Sequence, residues 1–371
     1  MANNLEKMTV LFHEKTVGFL RYLDGRVLFA YDESWLRDGF SISPRSLPLE
    51  NRVFTADPTK FGGLFGVFAD SLPDGWGTLT AIKYLRNKGI SYLELNPLER
   101  LSLVGKDGLG GLTYIPSKGH SLDEWKGTMD DFYKESIETI DGEETRFLDE
   151  IFSHESSTGG ARPKAHIQLD DVEWIVKFRE RNDPIWMGRM EYEYNLAAEE
   201  CGITIPEVRL LASKNSDGYF ASKRFDRNGE KRVHMLSLSG LLEVPHDFPL
   251  LDYVSFLQAT GYITQSQKEV EKAFRLACFN VFSKNYDDHS KNFAFLYEEE
   301  TKRYVLSPAY DLTRTIYQKE HEMSCNGKGL PNENDLLVLA KKVGIPTKKA
   351  ESIISLVKDT VENRLGEWLK K

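Results

Sequence analysis

Alternating apolar and polar positions dominate the start of the chain. Thr9–Phe12, Val17–Leu23 and Val27–Tyr31 follow the two-residue period of half-buried strands, with Asp24-Gly25 as the turn between the last two. A loop-rich stretch carries Leu72-Pro-Asp-Gly-Trp-Gly77, after which Thr78–Asn87 takes helical spacing. Pro97–Gly105 predicts a short helix, with Pro97 near its start and Gly105 as its stop. The run Gly105-Lys-Asp-Gly-Leu-Gly-Gly111 has the glycines of a phosphate loop but not the Gly-Lys-[Ser/Thr] ending. It reads as a turn into a strand at Leu112–Ile115. The polar segment Ser117–Glu144 reads as the join to the next unit.

The next unit opens with Ser156-Ser-Thr-Gly-Gly-Ala-Arg-Pro-Lys-Ala165. His166–Leu169 and Glu173–Phe178 are strand-like and are joined by Asp170-Asp171. Glu191–Cys201 is helical, with Gly202 as its stop, and Tyr219–Phe225 returns to strand. Later helices are expected at Tyr253–Thr260, Ser266–Asn285, Glu333–Val343 and Lys348–Leu369. Leu336, Leu339, Ala340 and Val343 share one helical face, as do Ile353, Ile354, Val357 and Val361. The pattern is α+β: a β-rich first part and a mostly helical last part.

A chain of 371 residues has room for two or three structural units and a sizeable core. Its formal charge of −9 argues against a dedicated nucleic-acid binder. Cys201, Cys278 and Cys325 are isolated, fit no metal spacing or disulfide framework, and suit a reducing compartment. Met1–Glu14 does not resemble a signal peptide, and no apolar run approaches membrane-spanning length. A cytoplasmic location is the expectation.

The chemistry-bearing stretch is Asn285-Tyr-Asp-Asp-His-Ser-Lys-Asn-Phe-Ala-Phe-Leu296, followed by Leu306-Ser-Pro-Ala-Tyr-Asp311. Asp287 and Asn292 have the spacing of base and metal ligand in a protein-kinase catalytic loop. An apolar run after Asn292, a polar turn at Glu298–Lys302 and Tyr304–Leu306 read as a hairpin that delivers Asp311 from its far side. A carboxylate to orient a hydroxyl and hard oxygen ligands for Mg2+ are what phosphoryl transfer requires. Read alone, Asp287 is equally an ordinary loop acid that caps and solvates. Adjacent Asp288 competes for the catalytic role, and the five-residue spacing to Asn292 favours Asp287.

Other kinase parts follow in order. Lys177 ends Trp174-Ile-Val-Lys, where its ammonium could reach nucleotide phosphates, or it is a solvated edge-strand lysine. Glu191 or Glu193 on the next helix could pair with it. Lys223-Arg-Phe-Asp226 stands where a hinge would offer backbone groups to adenine, or where a salt-bridged turn would do as well. Gly159, Gly160 and Lys164 could let N–H groups approach phosphate, or form a plain flexible loop.

Ser-Ser-Thr-Gly-Gly-Ala-Arg-Pro-Lys, Trp-Ile-Val-Lys-Phe, Lys-Arg-Phe-Asp-Arg, Asp-Asp-His-Ser-Lys-Asn-Phe and Ser-Pro-Ala-Tyr-Asp together resemble the HipA family of serine/threonine kinase toxins. The first third, with Leu-Pro-Asp-Gly-Trp-Gly and Leu-Val-Gly-Lys-Asp-Gly-Leu-Gly-Gly, resembles that family's N-terminal subdomain. The resemblance implies a bilobal protein-kinase-like fold. It would place an N-terminal subdomain at residues 1–118 and a kinase domain at 119–371, whose strands run to about 228 and whose helical lobe is 229–371. It implies ATP and Mg2+ as cofactors, Asp287 as catalytic aspartate, and Asn292 and Asp311 as metal ligands. Gly159, Gly160, Ala161, Lys164, Lys177, Glu191, Lys223, Phe225 and His289 would complete the nucleotide site. Ser157 would be an autophosphorylation site that switches the kinase off, with Ser156 and Thr158 as secondary acceptors. A helix-turn-helix antitoxin (HipB-like) would be the partner, and an aminoacyl-tRNA synthetase the protein substrate. Some relatives have Gly at the position of Asp288 and an acid at that of Lys223. Alternative functions are a small-molecule or lipid-head-group kinase and a non-catalytic corepressor.

Overall fold

The structure is a computed structural model that describes residues 5–104, 108–118, 127–141, 162–229, 231–246 and 251–371. The alternating segments form strands as their burial requires. β1 (Lys7–Phe12) buries Met8, Val10 and Phe12, and β3 (Arg26–Tyr31) buries Val27, Phe29 and Tyr31. β2 (Lys15–Leu23) lies between them in an antiparallel sheet of order β4-β3-β2-β1-β5, completed by β4 (Phe54–Thr55) and β5 (Leu112–Ile115). Asp24 and Gly25 both take positive φ, 49° and 77°, as the tight hairpin between β2 and β3 demands.

β6 (Lys164–Leu169) and β7 (Val172–Lys177) pair antiparallel around Asp170-Asp171, and β7 pairs on its other side with the Tyr219–Lys223 strand. Trp174, Val176, Ala165 and Ala221 face a core that also contains Phe178 and Tyr219. The polar segment read as a join contains an element that the sequence reading did not name. Met129–Asp141 is a helix, and Phe132 and Ile137 are buried on it. Its apolar positions, Met129, Phe132, Tyr133 and Ile137, recur at helical spacing, but the surrounding acids mask them in an averaged reading. Phe132 stacks on Phe178 at 5.2 Å and is fully buried. Phe132→Ala is expected to cost about 3–5 kcal/mol of stability, measured by urea denaturation.

Helices dominate the rest: Met187–Glu200, Tyr253–Thr264, Gln267–Ser283, Glu333–Lys342 and Thr347–Leu365. Asp252, Ser266 and Asn332 cap three of them through their side chains. Ala294–Glu298 and Arg303–Leu306 form the expected hairpin, Phe295 facing Leu306 and Glu298 facing Arg303. Packing groups the chain into two compact units, Met1–Gly188 with Leu210–Leu236, and Arg189–Arg209 with Ser237–Lys371.

Within the first unit, Lys223-Arg-Phe-Asp-Arg is tied to the turn before β5. Arg224 and Arg227 both reach Asp226, at 2.7 and 2.8 Å, and the Gly110 N–H donates to the same carboxylate at 2.7 Å. Arg224, Arg227 and Arg232 all donate to the Gly108 carbonyl, and Arg227 and Arg232 also donate to that of Gly110. Gly110 holds φ 72°, and a Cβ on Gly111 would stand 2.4 Å from the Phe12 ring. The described glycines of this turn therefore serve arginine clamping and close packing. The salt-bridged-turn reading of Arg224 and Asp226 is realised.

Candidate functional site

Two groups of candidate residues are described, one in each unit. In the first, Lys164 and Lys177 are direct cross-strand partners at one end of the β6–β7 pair. Side chains opposed in this way share a face of the sheet. Lys164 is buried, and the Lys177 ammonium lies 5.7 Å from the centre of the Phe220 ring. Lys223 ends the next strand opposite Trp174, and half-buried Phe225 follows it. Ser157, Gly159, Gly160 and Ala161 lie outside the described residues, as do Ser156 and Thr158.

In the second unit, Glu191 is buried on the Met187–Glu200 helix, and Asn195 donates to its carbonyl at 2.8 Å. The Glu193 carboxylate instead faces Arg364 at 3.7 Å.

The catalytic-loop candidate begins where the Gln267–Ser283 helix stops. Lys284 takes the left-handed conformation there, and the Asn285 N–H returns to the Asn280 carbonyl at 3.1 Å. The adjacent acids then separate sharply. Asp288 has a side chain 0% exposed and accepts from Tyr253 Oη at 2.5 Å and from the Glu322 and Met323 N–H groups at 2.9 and 3.3 Å. His321 Nδ1 lies 2.7 Å from the same carboxylate. Burial, and then the Asp288 carboxylate, push the Tyr253 phenol well above its usual range, so it remains a donor. Every lone pair of Asp288 is engaged in holding the chain.

The Asp287 side chain is 51% exposed, with His289 Nε2 at 3.8 Å. Its backbone does the anchoring. The Asp287 N–H donates to Thr315 Oγ1 at 3.1 Å, and Asn292 Nδ2 donates to the Asp287 carbonyl at 2.6 Å. His289 starts the Ser290–Asn292 turn, its Nδ1 accepting from the Lys291 N–H at 3.3 Å, and its ring lies 5.3 Å from that of His246.

Asp311 reaches the same loop from the hairpin side. Glu269 accepts from the Leu306 N–H at 3.0 Å, fixing the end of the hairpin. Tyr310 Oη then donates to the Lys291 carbonyl at 2.5 Å, and Asn285 Nδ2 donates to the Asp311 carbonyl at 3.4 Å. Asp311 itself has φ 54°, an uncommon conformation for a residue with a side chain. The fold thus gathers the Asp287–Asn292 loop and the Asp311 segment into one place.

Glu322 was not visible from sequence. Burial raises its carboxyl above the usual range, the Asp287 carboxylate adds to this, and His289 opposes it. No local spacing pointed to it, because it lies across a long irregular segment and is brought in by Asp288.

Among the described residues no group of three or more His, Cys, Asp or Glu is arranged to hold a metal ion. A smaller oxygen donor set suits Mg2+, which keeps several waters and shares phosphate oxygens. Asn292 fits that need: its amide nitrogen is spent on the Asp287 carbonyl, leaving oxygen as its donor toward a cation. Among the described residues no helix is long and apolar enough to cross a membrane.

Comparison with known proteins agrees along the chain. The HipA N-terminal domain model matches residues 8–115, and the HipA-like C-terminal domain model matches residues 156–365. Y4dM of Sinorhizobium fredii, which carries a provisional kinase name, is 26% identical over 98% of this chain and 92% of its own. Y4mE of the same organism, similarly named, is 26% identical over 83% of this chain and 77% of its own. HipA of Shewanella oneidensis MR-1, solved with HipB and operator DNA, superposes with a TM-score of 0.73 at 19% identity. That match covers 97% of this chain and 90% of the other, which establishes the fold.

Proposed function

This chain belongs to the HipA family, and we propose that it is an ATP- and Mg2+-dependent protein serine/threonine kinase acting as the toxin of a toxin–antitoxin pair. The observation that carries the reading is the division of labour between adjacent acids. Asp288 is consumed by the fold, while Asp287 is half exposed on a backbone pinned at both its N–H and its carbonyl. In this reading Asp287 orients the acceptor hydroxyl and receives its proton, while Asn292 and Asp311 hold the cation. Mg2+ would neutralise charge on the phosphates during transfer. Lys177 and Lys164 would contact phosphate, and by family resemblance Gly159, Gly160 and Ala161 would belong to the same nucleotide site. Lys223 and Phe225 would frame adenine, through backbone groups at Lys223. Glu191 is proposed as part of the nucleotide site, since Arg364 already faces Glu193.

The acceptor is proposed to be an aminoacyl-tRNA synthetase, modified on a serine so that charging stops and growth arrests. The partner is proposed to be a HipB-like helix-turn-helix protein. Its support is the HipB-bound Shewanella relative and this chain's charge of −9, which leaves the basic DNA surface to another protein. Ser157 is proposed as the autophosphorylation site, its phosphate competing with ATP for the same N–H groups and cations.

Phosphoproteomics after brief expression of wild type and Asp287→Asn tests these points together. A synthetase site and phospho-Ser157 are expected only with wild type. A phosphoproteome with no Asp287-dependent site would remove the kinase reading. Asp287-dependent sites without a synthetase would remove only the substrate.

A further inference from the structure

A continuous buried polar chain links the backbones that carry Asp287 and Asp311. From the Asp311 end, Asn285 Nδ2 donates to the Asp311 carbonyl at 3.4 Å and to Asn280 Oδ1 at 3.1 Å. Asn280 Nδ2 donates to Tyr253 Oη at 3.1 Å, and Tyr253 Oη donates to Asp288 Oδ2 at 2.5 Å. Asp288 is peptide-bonded to Asp287. Tyr253 and Asp288 are 0% exposed, and Asn280 and Asn285 are 2% exposed. The chain crosses three elements: the Tyr253–Thr264 helix, the Gln267–Ser283 helix and the loop that follows.

A structural plug at this position could be apolar. Four buried polar side chains are costly unless hydrogen-bonded. Here both Nδ2 groups, the Tyr253 hydroxyl and the Asp288 carboxylate are bonded, while the buried Asn285 Oδ1 has no hydrogen-bond partner among the described residues. Hydrogen bonds are directional, so this connection fixes distance and orientation where apolar packing would tolerate sliding.

We propose that Tyr253, Asn280, Asn285 and Asp288 are positioning residues that set the separation of Asp287 from Asp311, and so of the acceptor hydroxyl from the metal-bound phosphate. The inference rests on the functional reading above. None of the four touches substrate in this scheme. Each end of the chain has its own consequence. Tyr253 governs the Asp287 end, which orients the hydroxyl. Asn285 governs the Asp311 end, which holds the cation. Remote partners of this kind cost about 10–100-fold in metal affinity or activity when removed.

The test compares wild type, Asp287→Asn, Tyr253→Phe and Asn285→Ala. Three quantities are measured: steady-state phosphoryl transfer, thermal midpoint, and Mn2+ binding with a non-hydrolysable ATP analogue, followed by electron paramagnetic resonance of the free ion. Tyr253→Phe is expected to lower kcat about 10-fold, with KM for ATP and Mn2+ affinity held within about twofold. Asn285→Ala is expected to weaken Mn2+ binding about 10-fold and to raise the Mg2+ requirement in parallel. A split of this kind supports positioning, because a merely structural role would lower the midpoint and every kinetic constant together. That common loss, or failure of both variants to fold, would overturn the proposal. So would wild-type kcat and wild-type Mn2+ binding in both variants while Asp287→Asn is inert. If Asp287→Asn itself retains turnover, the functional reading falls instead.

Discussion

Asp287→Asn is expected to lower phosphoryl transfer by about 10²–10⁴-fold while the protein stays folded. The side chain is half exposed, and residue 287 is fixed through its N–H to Thr315 and its carbonyl to Asn292, contacts that the amide leaves intact. The loss should fall on kcat, since a carboxylate that receives a proton acts in the transition state. Asp311→Asn should reduce turnover comparably through the cation, with an increased Mg2+ requirement as its signature. Phosphate transfer from labelled ATP, beside circular dichroism of each variant, provides the check. Turnover within a few-fold of wild type in folded Asp287→Asn would transfer the catalytic role elsewhere.

Asp226→Asn should have its large effect on stability. Burial acts to raise this carboxyl, but Arg224 and Arg227, with the Gly110 N–H, outweigh it and hold the group far below the usual carboxylate range. Removing the charge leaves two buried guanidinium groups with the partly exposed Glu173 carboxylate, 3.3 Å from each, as a remaining acidic partner, a loss of about 3 kcal/mol. The sign of the pH dependence follows from the depressed value. The contribution is fully present above the unfolded-state value of about 3.9 and fades as pH falls below it. Urea denaturation should therefore show the wild type losing its advantage over Asp226→Asn between about pH 5 and lower pH. An equal gap at pH 7 and pH 3 would show that charge pairing at Asp226 is not what holds the clamp.

The sequence by itself determined the elements with a clear period and a clear stop. β1, β2, β3 and β5 of the first sheet, the Asp170-Asp171 hairpin and the long helices are legible because burial on one face imposes a period of two or 3.6, whereas the two-residue β4 is too short to show one. Their ends are also local: Asp24-Gly25, Gly202 and Asn332 act through their own backbone conformation or side-chain caps. The Met129–Asp141 helix escaped because its short apolar stripe lies among acids and gains its stability from packing on Phe178, which sequence order does not reveal. The Asp287–Asn292 spacing and the hairpin to Asp311 were likewise legible, being set along one continuous stretch. The different surroundings of Asp287 and Asp288 appear only in the tertiary structure. Tyr253 and His321 lie 35 or fewer positions away from Asp288, beyond any local period, and only folding brings them onto its carboxylate. Desolvation then makes the fully paired acid structural and leaves its neighbour half exposed. The arginine clamp on Gly108 and Gly110 belongs to the same class, since its partners are more than 100 residues apart. Local patterns fix which residues form elements, because they depend on neighbours in the chain. Roles that depend on exclusion of water are fixed only when distant segments meet.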